Sequence, residues 1–312
     1  MRDFIAVVDS GSLTRAAAVL GVSQPAVSQR MAQLEAGVGA RLLERGPRGV
    51  EPTAVGLVFY RGAQELVRQH DQLTSALAAG REELRGTVVV GLPATVAGQL
   101  AAELLTLVRR RHPGIRLDVF ESMSGYVEEL LGRHRLDLAV LFRDDPGPHA
   151  GEVVLYDEDL FLVSAEHAAD GQAGPVRVRD LAGVPLVAPG ARSNLRDLVD
   201  RAFAVHGLAP DVVADVGSLP AMVRIAQSGT ACTILPRSSV EAIPGPPLRL
   251  RPVVDPPLRR WASVRLATDL YEPRAAVVAV RDAVLDSVRA LAARDAWPGI
   301  RPTPQTGQVS TP

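Results

Sequence analysis

The chain has 312 residues, 47% of them hydrophobic, and a formal net charge of −1. That length suits two or three domains with substantial cores, and the near-zero charge excludes a molecule that grips polyanions over its whole surface. A single cysteine, Cys232, excludes an intramolecular disulfide framework, and no apolar run reaches the roughly 18 residues that a membrane-spanning helix needs. No basic-then-apolar signal segment opens the chain, so a cytoplasmic protein is expected. The charge is unevenly placed. Residues 1–62 hold 7 Arg against 5 acidic residues, and the remainder holds 27 against 30. A basic head on an acidic body suits contact with nucleic acid at the front.

Residues 12–35 read as two short helices joined by a tight turn. Ser12 caps the first, Ala16, Ala17 and Leu20 recur at helical spacing, and Gly21 suits the left-handed position that ends it. Ser23 caps the second, and Pro25 falls in its first turn. Val27, Met31 and Leu34 define its buried face. Gln24, Ala26, Ser28, Gln29 and Arg30 lie near the start of this helix, several of them off that face. That is where a helix-turn-helix reads base edges. Gln bonds an adenine edge through two hydrogen bonds, Arg a guanine edge, and Ser28 suits a phosphate oxygen or a base. Downstream, Gly46, Pro47 and Gly49 punctuate a hairpin with Arg41, Arg45 and Arg48 around its tip, the form of a wing on the DNA backbone.

The strings G-S-L-T-R-A-A, S-Q-P-A-V-S, L-E-A-G-V-G-A-R-L-L-E-R and R-G-V-E-P-T-A-V-G resemble, in order and spacing, the N-terminal domain of the LysR-type transcriptional regulators. The resemblance implies double-stranded promoter DNA as partner. It puts DNA contacts at Ser23, Gln24, Pro25, Ser28, Gln29 and Arg30, with the wing arginines, Arg45 and Arg48 among them, on phosphate; Ala26, beside them at the helix start, is expected to join these contacts. Two features depart from the family. Met1 stands almost directly on D-F-I-A-V-V, which implies a displaced start and a first helix short at its front. Gly37 falls near the end of the recognition helix, where the family carries a charged helix former; it weakens the helix end by up to roughly 1 kcal/mol.

From Thr53 to Ala79 no proline interrupts the chain. Phe59, Leu66 and Leu73 repeat every seven residues, with Gly56, Ala63, His70 and Leu77 as the complementary seam. A two-stranded coiled coil is expected, hence a homodimer on a two-fold DNA site, and by the family resemblance a homotetramer.

Beyond Gly86 strands and helices alternate. Strands are expected at 87–92, 115–120 and 136–142, with helices at 95–111 and 125–132 between them. The pattern returns with strands at 185–189, 212–216 and 230–235, helices at 193–206 and 218–228, a strand at 261–268 and a closing helix at 275–293. This implies parallel sheets covered on both faces. With crossings near 162 and 262, the α/β body reads as a two-lobed, periplasmic-binding-protein-like effector domain, as the resemblance also implies. The expected division is a winged helix-turn-helix over 1–52, a linker helix over 53–85, the effector domain over 86–295 and a disordered tail over 296–312. Within the effector domain, lobe 1 covers 86–162 and 262–295, and lobe 2 covers 163–261.

In open α/β sheets a ligand lies at the carboxyl ends of the strands. That rule places Thr95, Ser124, Ser193, Asn194, Ser218 and Thr233 at the cleft, with Arg192 adding charge. Hydroxyls at helix starts favour a small anion or carboxylate as effector. The strings G-L-P-A-T-V-A, G-A-R-S-N-L-R-D-L-V-D and the closing W-P-G are similar to the nitrogen-assimilation-control branch of the family, some members of which act without a small coinducer. Contact with RNA polymerase is expected as the output. An enzyme finds no support. The six histidines show no metal-ligand spacing, there is no G-x-S-x-G elbow or phosphate loop, and Asp157-Glu158-Asp159 reads as a solvated turn. No cofactor or metal is expected. The alternative, a cytosolic solute-binding protein, leaves the head unexplained.

Overall fold

A computed structural model describes residues 1–46, 49–79, 84–147, 149–166, 174–267 and 274–303, with the backbone alone at Glu65, Arg68, Gln69 and 71–79. It divides into two compact units, residues 1–86 and 87–312.

The head is built from α1 (Arg2–Ser10), α2 (Leu13–Leu20) and α3 (Gln24–Val38). The Ser12 hydroxyl accepts from the Arg15 N–H and that of Ser23 from the Ala26 N–H. Gly21 adopts φ 66° and returns its N–H to the Ala17 and Ala18 carbonyls. A side chain there would be strained, so glycine sets the angle between the two helices. Phe4, Val7, Ala16, Val27 and Met31 fill the core. Helix α1 is anchored by Phe4, whose ring meets Phe59 edge-on at 5.3 Å. Strands β1 (Leu43–Gly46) and β2 (Gly49–Pro52) pair antiparallel as the wing. The Glu35 carboxylate accepts the Leu42 and Leu43 N–H groups at 2.8 and 3.0 Å, which ties the end of α3 to the wing.

The long helix α4 (Ala54–Ala79) follows. Its expected seam needs correction at the front. Gly56, Phe59 and Ala63 face their own head: a Cβ on Gly56 would collide with the Leu42 carbonyl, Phe59 packs in the head core and Ala63 is buried. The apolar residues left exposed beside them are Val55 (51%) and Val58 (59%), one step round the helix, together with Leu66 (44%), which the expected heptad included. His70 is exposed, and the side chains of Leu73 and Leu77 lie outside the described residues.

The body begins with β3 (Gly86–Pro93), α5 (Ala94–Arg111), β4 (Ile115–Ser122), α6 (Ser124–Gly132) and β5 (Leu138–Arg143). A 14-residue strand, β6 (Glu152–Ala165), leads to β7 (Val176–Arg177), β8 (Leu186–Ala188), α7 (Asn194–Ala204), β9 (Val212–Asp215) and α8 (Leu219–Ser228). Next come β10 (Thr233–Pro236), α9 (Arg237–Glu241), β11 (Leu248–Val254), β12 (Arg259–Leu266), α10 (Ala275–Ala293) and β13 (Ile300–Pro302).

The main sheet runs β4-β3-β5-β12-β6-β11-β7, with β10 and β13 also on β6. The parallel expectation holds for β3 with β5 and β8 with β9. It fails around β6, where β10, β11, β12 and β13 all pair antiparallel. The reason is that β6 serves both lobes: Glu152–Asp159 pairs with β12, and Leu160–Ala165 with β10 and β11. The crossings therefore fall near 159 and 258, a few residues before the expected 162 and 262.

Two further expectations are overturned. Asp157-Glu158-Asp159 is the middle of β6, not a solvated turn, because Arg259, Arg260 and Arg301 on the flanking strands balance the three acids. The chain after 295 is ordered as far as Thr303. Trp297 is 1% exposed against Tyr156, with ring centroids 5.0 Å apart, and β13 pairs with Tyr156–Glu158. One large apolar ring and one strand register outweigh a polar composition. Residues 304–312 of the expected tail lie outside the described residues.

Candidate functional site

In the head, Ser23, Gln24, Pro25, Gln29 and Arg30 are exposed on the first half of α3, with Ala26 and Ser28 half-buried beside them. Val27 and Met31 turn the other way, into the core. Pro25 and the Ser23 cap fix this start of the helix, where the peptide dipoles favour negative charge. Arg45, on the wing, donates to the Ser28 hydroxyl at 3.4 Å, so the wing and the helix present one polar surface. Arg48 lies outside the described residues. A pairing the sequence did not suggest holds Arg30: its Nη1 donates to the Asp3 carboxylate at 2.9 Å, from α3 to α1. Both partners are partly exposed, and such a pair is worth about 0–1 kcal/mol. A phosphate or a guanine edge can therefore take the guanidinium over at small cost.

In the body, the carboxyl ends of β3, β4, β8 and β9 converge on an interlobe cleft, as the strand-end rule requires. Its lining includes Pro93, Thr95, Ser124, Phe142, Ser193, Met222 and Arg260. Thr95, Ser124 and Ser193 were expected there. Ser218 does not line the cavity; it caps α8 through Ala221 N–H, between the lining residues Gly217 and Leu219. Three more of the expected residues also lie off the lining. Arg192 is 77% exposed and pairs with Glu129 at 3.4 Å outside the cavity. Asn194 is used in bridging the lobes: its N–H donates to the Ser124 hydroxyl at 3.1 Å and its amide to Asp144 at 3.0 Å. Thr233 is fully buried against Met222, because β10 starts at 233 rather than 230 and its opposite end, Leu235, reaches the cavity.

The residue sequence reasoning missed is Arg260. It is 2% exposed, the one charged residue among the described lining, and it pairs with buried Glu158. The alternating spacing R-R-W-A-S-V-R-L marked β12 as a strand, but no local signal told which arginine turned inward. Burial pushes the Glu158 carboxyl up, and the Arg260 charge opposes this. Arginine does not release its proton, and protonating Glu158 would strand a buried guanidinium, so the contact with Arg260 favours the charged carboxylate. The cavity itself holds about 50 Å³. That is room for very few waters, well short of the roughly 300 Å³ at which ordinary ligand pockets begin.

A winged helix-turn-helix in one chain with a two-lobed α/β ligand-binding body defines a DNA-binding regulator of the sensing class. Residues 1–57 match the bacterial regulatory helix-turn-helix protein family of LysR type, and residues 81–289 match the LysR substrate binding domain. The chain belongs to the LysR family of transcriptional regulators, a family of regulators and not of enzymes. It is 35% identical over 246 residues to the nitrogen assimilation regulatory protein Nac of Escherichia coli K12, covering 78% of this chain and 80% of that one. It is 29% identical over 311 residues to the regulator BbuR of Bordetella bronchiseptica, covering 95% and 91%. Full-length CbnR in complex with its target DNA shares the fold at a TM-score of 0.60 and 25% identity, over 93% of this chain and 97% of that one.

Proposed function

We propose that this regulator reads promoter DNA with the first half of α3. Gln24, Ala26, Gln29 and Arg30 meet base edges; Ser23, Pro25 and Ser28 seat the helix; and Arg45 and Arg48 hold phosphate. The observation that carries this reading is the exposed polar start of α3 standing opposite a fully buried Val27 and beside Arg45. The protein works in the cytoplasm as a homodimer that pairs into a homotetramer. The exposed stripe Val55, Val58 and Leu66 supports a second copy along α4, because a soluble head rarely leaves such a row bare. Bound to the promoter, the assembly acts on RNA polymerase. The body gates this action through the cleft, which takes a compact effector.

The test is binding of the full chain to fragments of its own genome, with sequencing of the bound sites. A shared, roughly two-fold motif is expected, and no preference over scrambled duplex at low salt overturns the reading. A second reading, regulation without any small effector, is favoured by the small cavity and by the lobes being bridged already through Ser124, Asn194 and Asp144. A thermal-shift screen of small metabolites against the full chain separates the two.

A further inference from the structure

The cleft is lined by apolar side chains and neutral hydroxyls, and its one charged lining residue is balanced from behind. Arg260 Nε donates to a Glu158 oxygen at 2.8 Å, and Nη2 lies 2.6 Å from the same oxygen as an ion pair. Nη2 also reaches the Thr95 hydroxyl at 3.0 Å, and the guanidinium lies 3.5 Å from the Phe142 ring centroid. Glu158 is itself outside the lining. It sits on β6 where that strand passes between lobes, flanked by Arg260 on β12 and Ile300 on β13. An entering anion would meet a guanidinium whose charge is already neutralised, with the neutralising carboxylate directly behind it. Little would replace its lost hydration, because repulsion from the carboxylate cancels much of the attraction to the cation.

We propose that Glu158 determines the specificity of the cleft: its carboxylate occupies Arg260 in place of an anionic effector, so the cleft rejects small anions and admits only water or a compact uncharged molecule. This rests on reading the cleft as the regulatory site. It replaces the anionic effector expected from the sequence with an internal carboxylate, supplied from a position 102 residues before Arg260. It also accounts for lobes bridged without a ligand, since the positive charge that an anion would satisfy is satisfied within the fold.

The test uses the full chain and four proteins: wild type, Glu158→Gln, Arg260→Met and the Glu158→Gln/Arg260→Met double variant. Formate and acetate are titrated against chloride at constant ionic strength, and thermal unfolding is followed. Wild type is expected to show no formate-specific saturable shift. Glu158→Gln keeps the shape but leaves the guanidinium charge unbalanced; it gains a saturable rise of roughly 3 °C, which the double variant loses. A saturable formate response in wild type that Arg260→Met abolishes overturns the proposal, and so does a folded Glu158→Gln with no response. Should Glu158→Gln fail to fold, wild type against Arg260→Met decides: two flat titrations support the proposal, and a response in wild type alone sinks it. Duplex binding of wild type is read in parallel by fluorescence anisotropy. Loss of duplex preference ends the regulator reading and leaves the anion result standing, whereas a formate response ends the Glu158 assignment and leaves the regulator intact.

Discussion

Arg30 and Arg260 show how one side chain serves two ends. Arg30 stands at the surface of the head in a partly exposed pair with Asp3, and Arg260 is buried in the body against Glu158. The first pair is weak in water and can be exchanged for a nucleic acid. The second cannot be opened without stranding a charge, although an apolar pair of like volume could replace it at little cost. A contact site keeps its charges exchangeable, whereas a gate keeps its charge matched.

The sharpest way to break this contrast is Glu158→Ala, which should destabilise the body by about 3–5 kcal/mol in urea unfolding. Replacing both partners, as Glu158→Leu/Arg260→Met, should recover most of that loss. If the single and double variants are equally unstable, the burial argument is wrong. In the head the effects are on binding. Gln24→Ala should lose about 1–3 kcal/mol of discrimination at one base position, while Arg45→Ala should weaken all duplexes alike and lower the salt slope by about one. Anisotropy over a salt series measures both.

The body offers an acid test. Burial alone would raise the Glu152 carboxyl, but hydrogen bonds from Arg143 and Ser263, and the charges of Arg143 and Arg265, hold it below its ordinary 4.5. A depressed carboxylate stabilises fully above the unfolded value and progressively less as the pH falls below it. The stability gap between wild type and Glu152→Gln should therefore be widest near neutrality and close below about pH 4. A gap that widens on acidification would reverse the sign of the argument.

Smaller effects belong to the head. Gly37 lies inside α3 with open space where a Cβ would go, so Gly37→Ala should add up to about 1 kcal/mol. Asp3→Asn should alter stability by less than about 1 kcal/mol. The same change should raise affinity for all duplexes at low salt by freeing Arg30. An unchanged affinity would mean that Arg30 does not reach the DNA.

What could be read along the chain followed the range of the interactions. Ser12, Gly21, Ser23 and Pro25 act within four residues of themselves, so the helices of the head and their exposed faces were legible from spacing alone. The strand ends that locate the cleft were legible for the same reason, through alternation of apolar residues. The first half of α4 was legible as a helix but not in its facing, since whether Gly56 and Ala63 turn to a second copy or to Leu42 and the head core depends on where the chain returns.

The amino-acid order by itself determined the winged helix-turn-helix and the alternating α/β body, because caps, turns and periodicity are local properties, and its matching strings pointed to the family. Tertiary structure alone decided that an acidic triplet lies inside a strand, that Trp297 closes on Tyr156, and that Glu158 meets Arg260. Each of these depends on the register of β6 with strands more than a hundred residues away, and a register is set only when the whole sheet assembles.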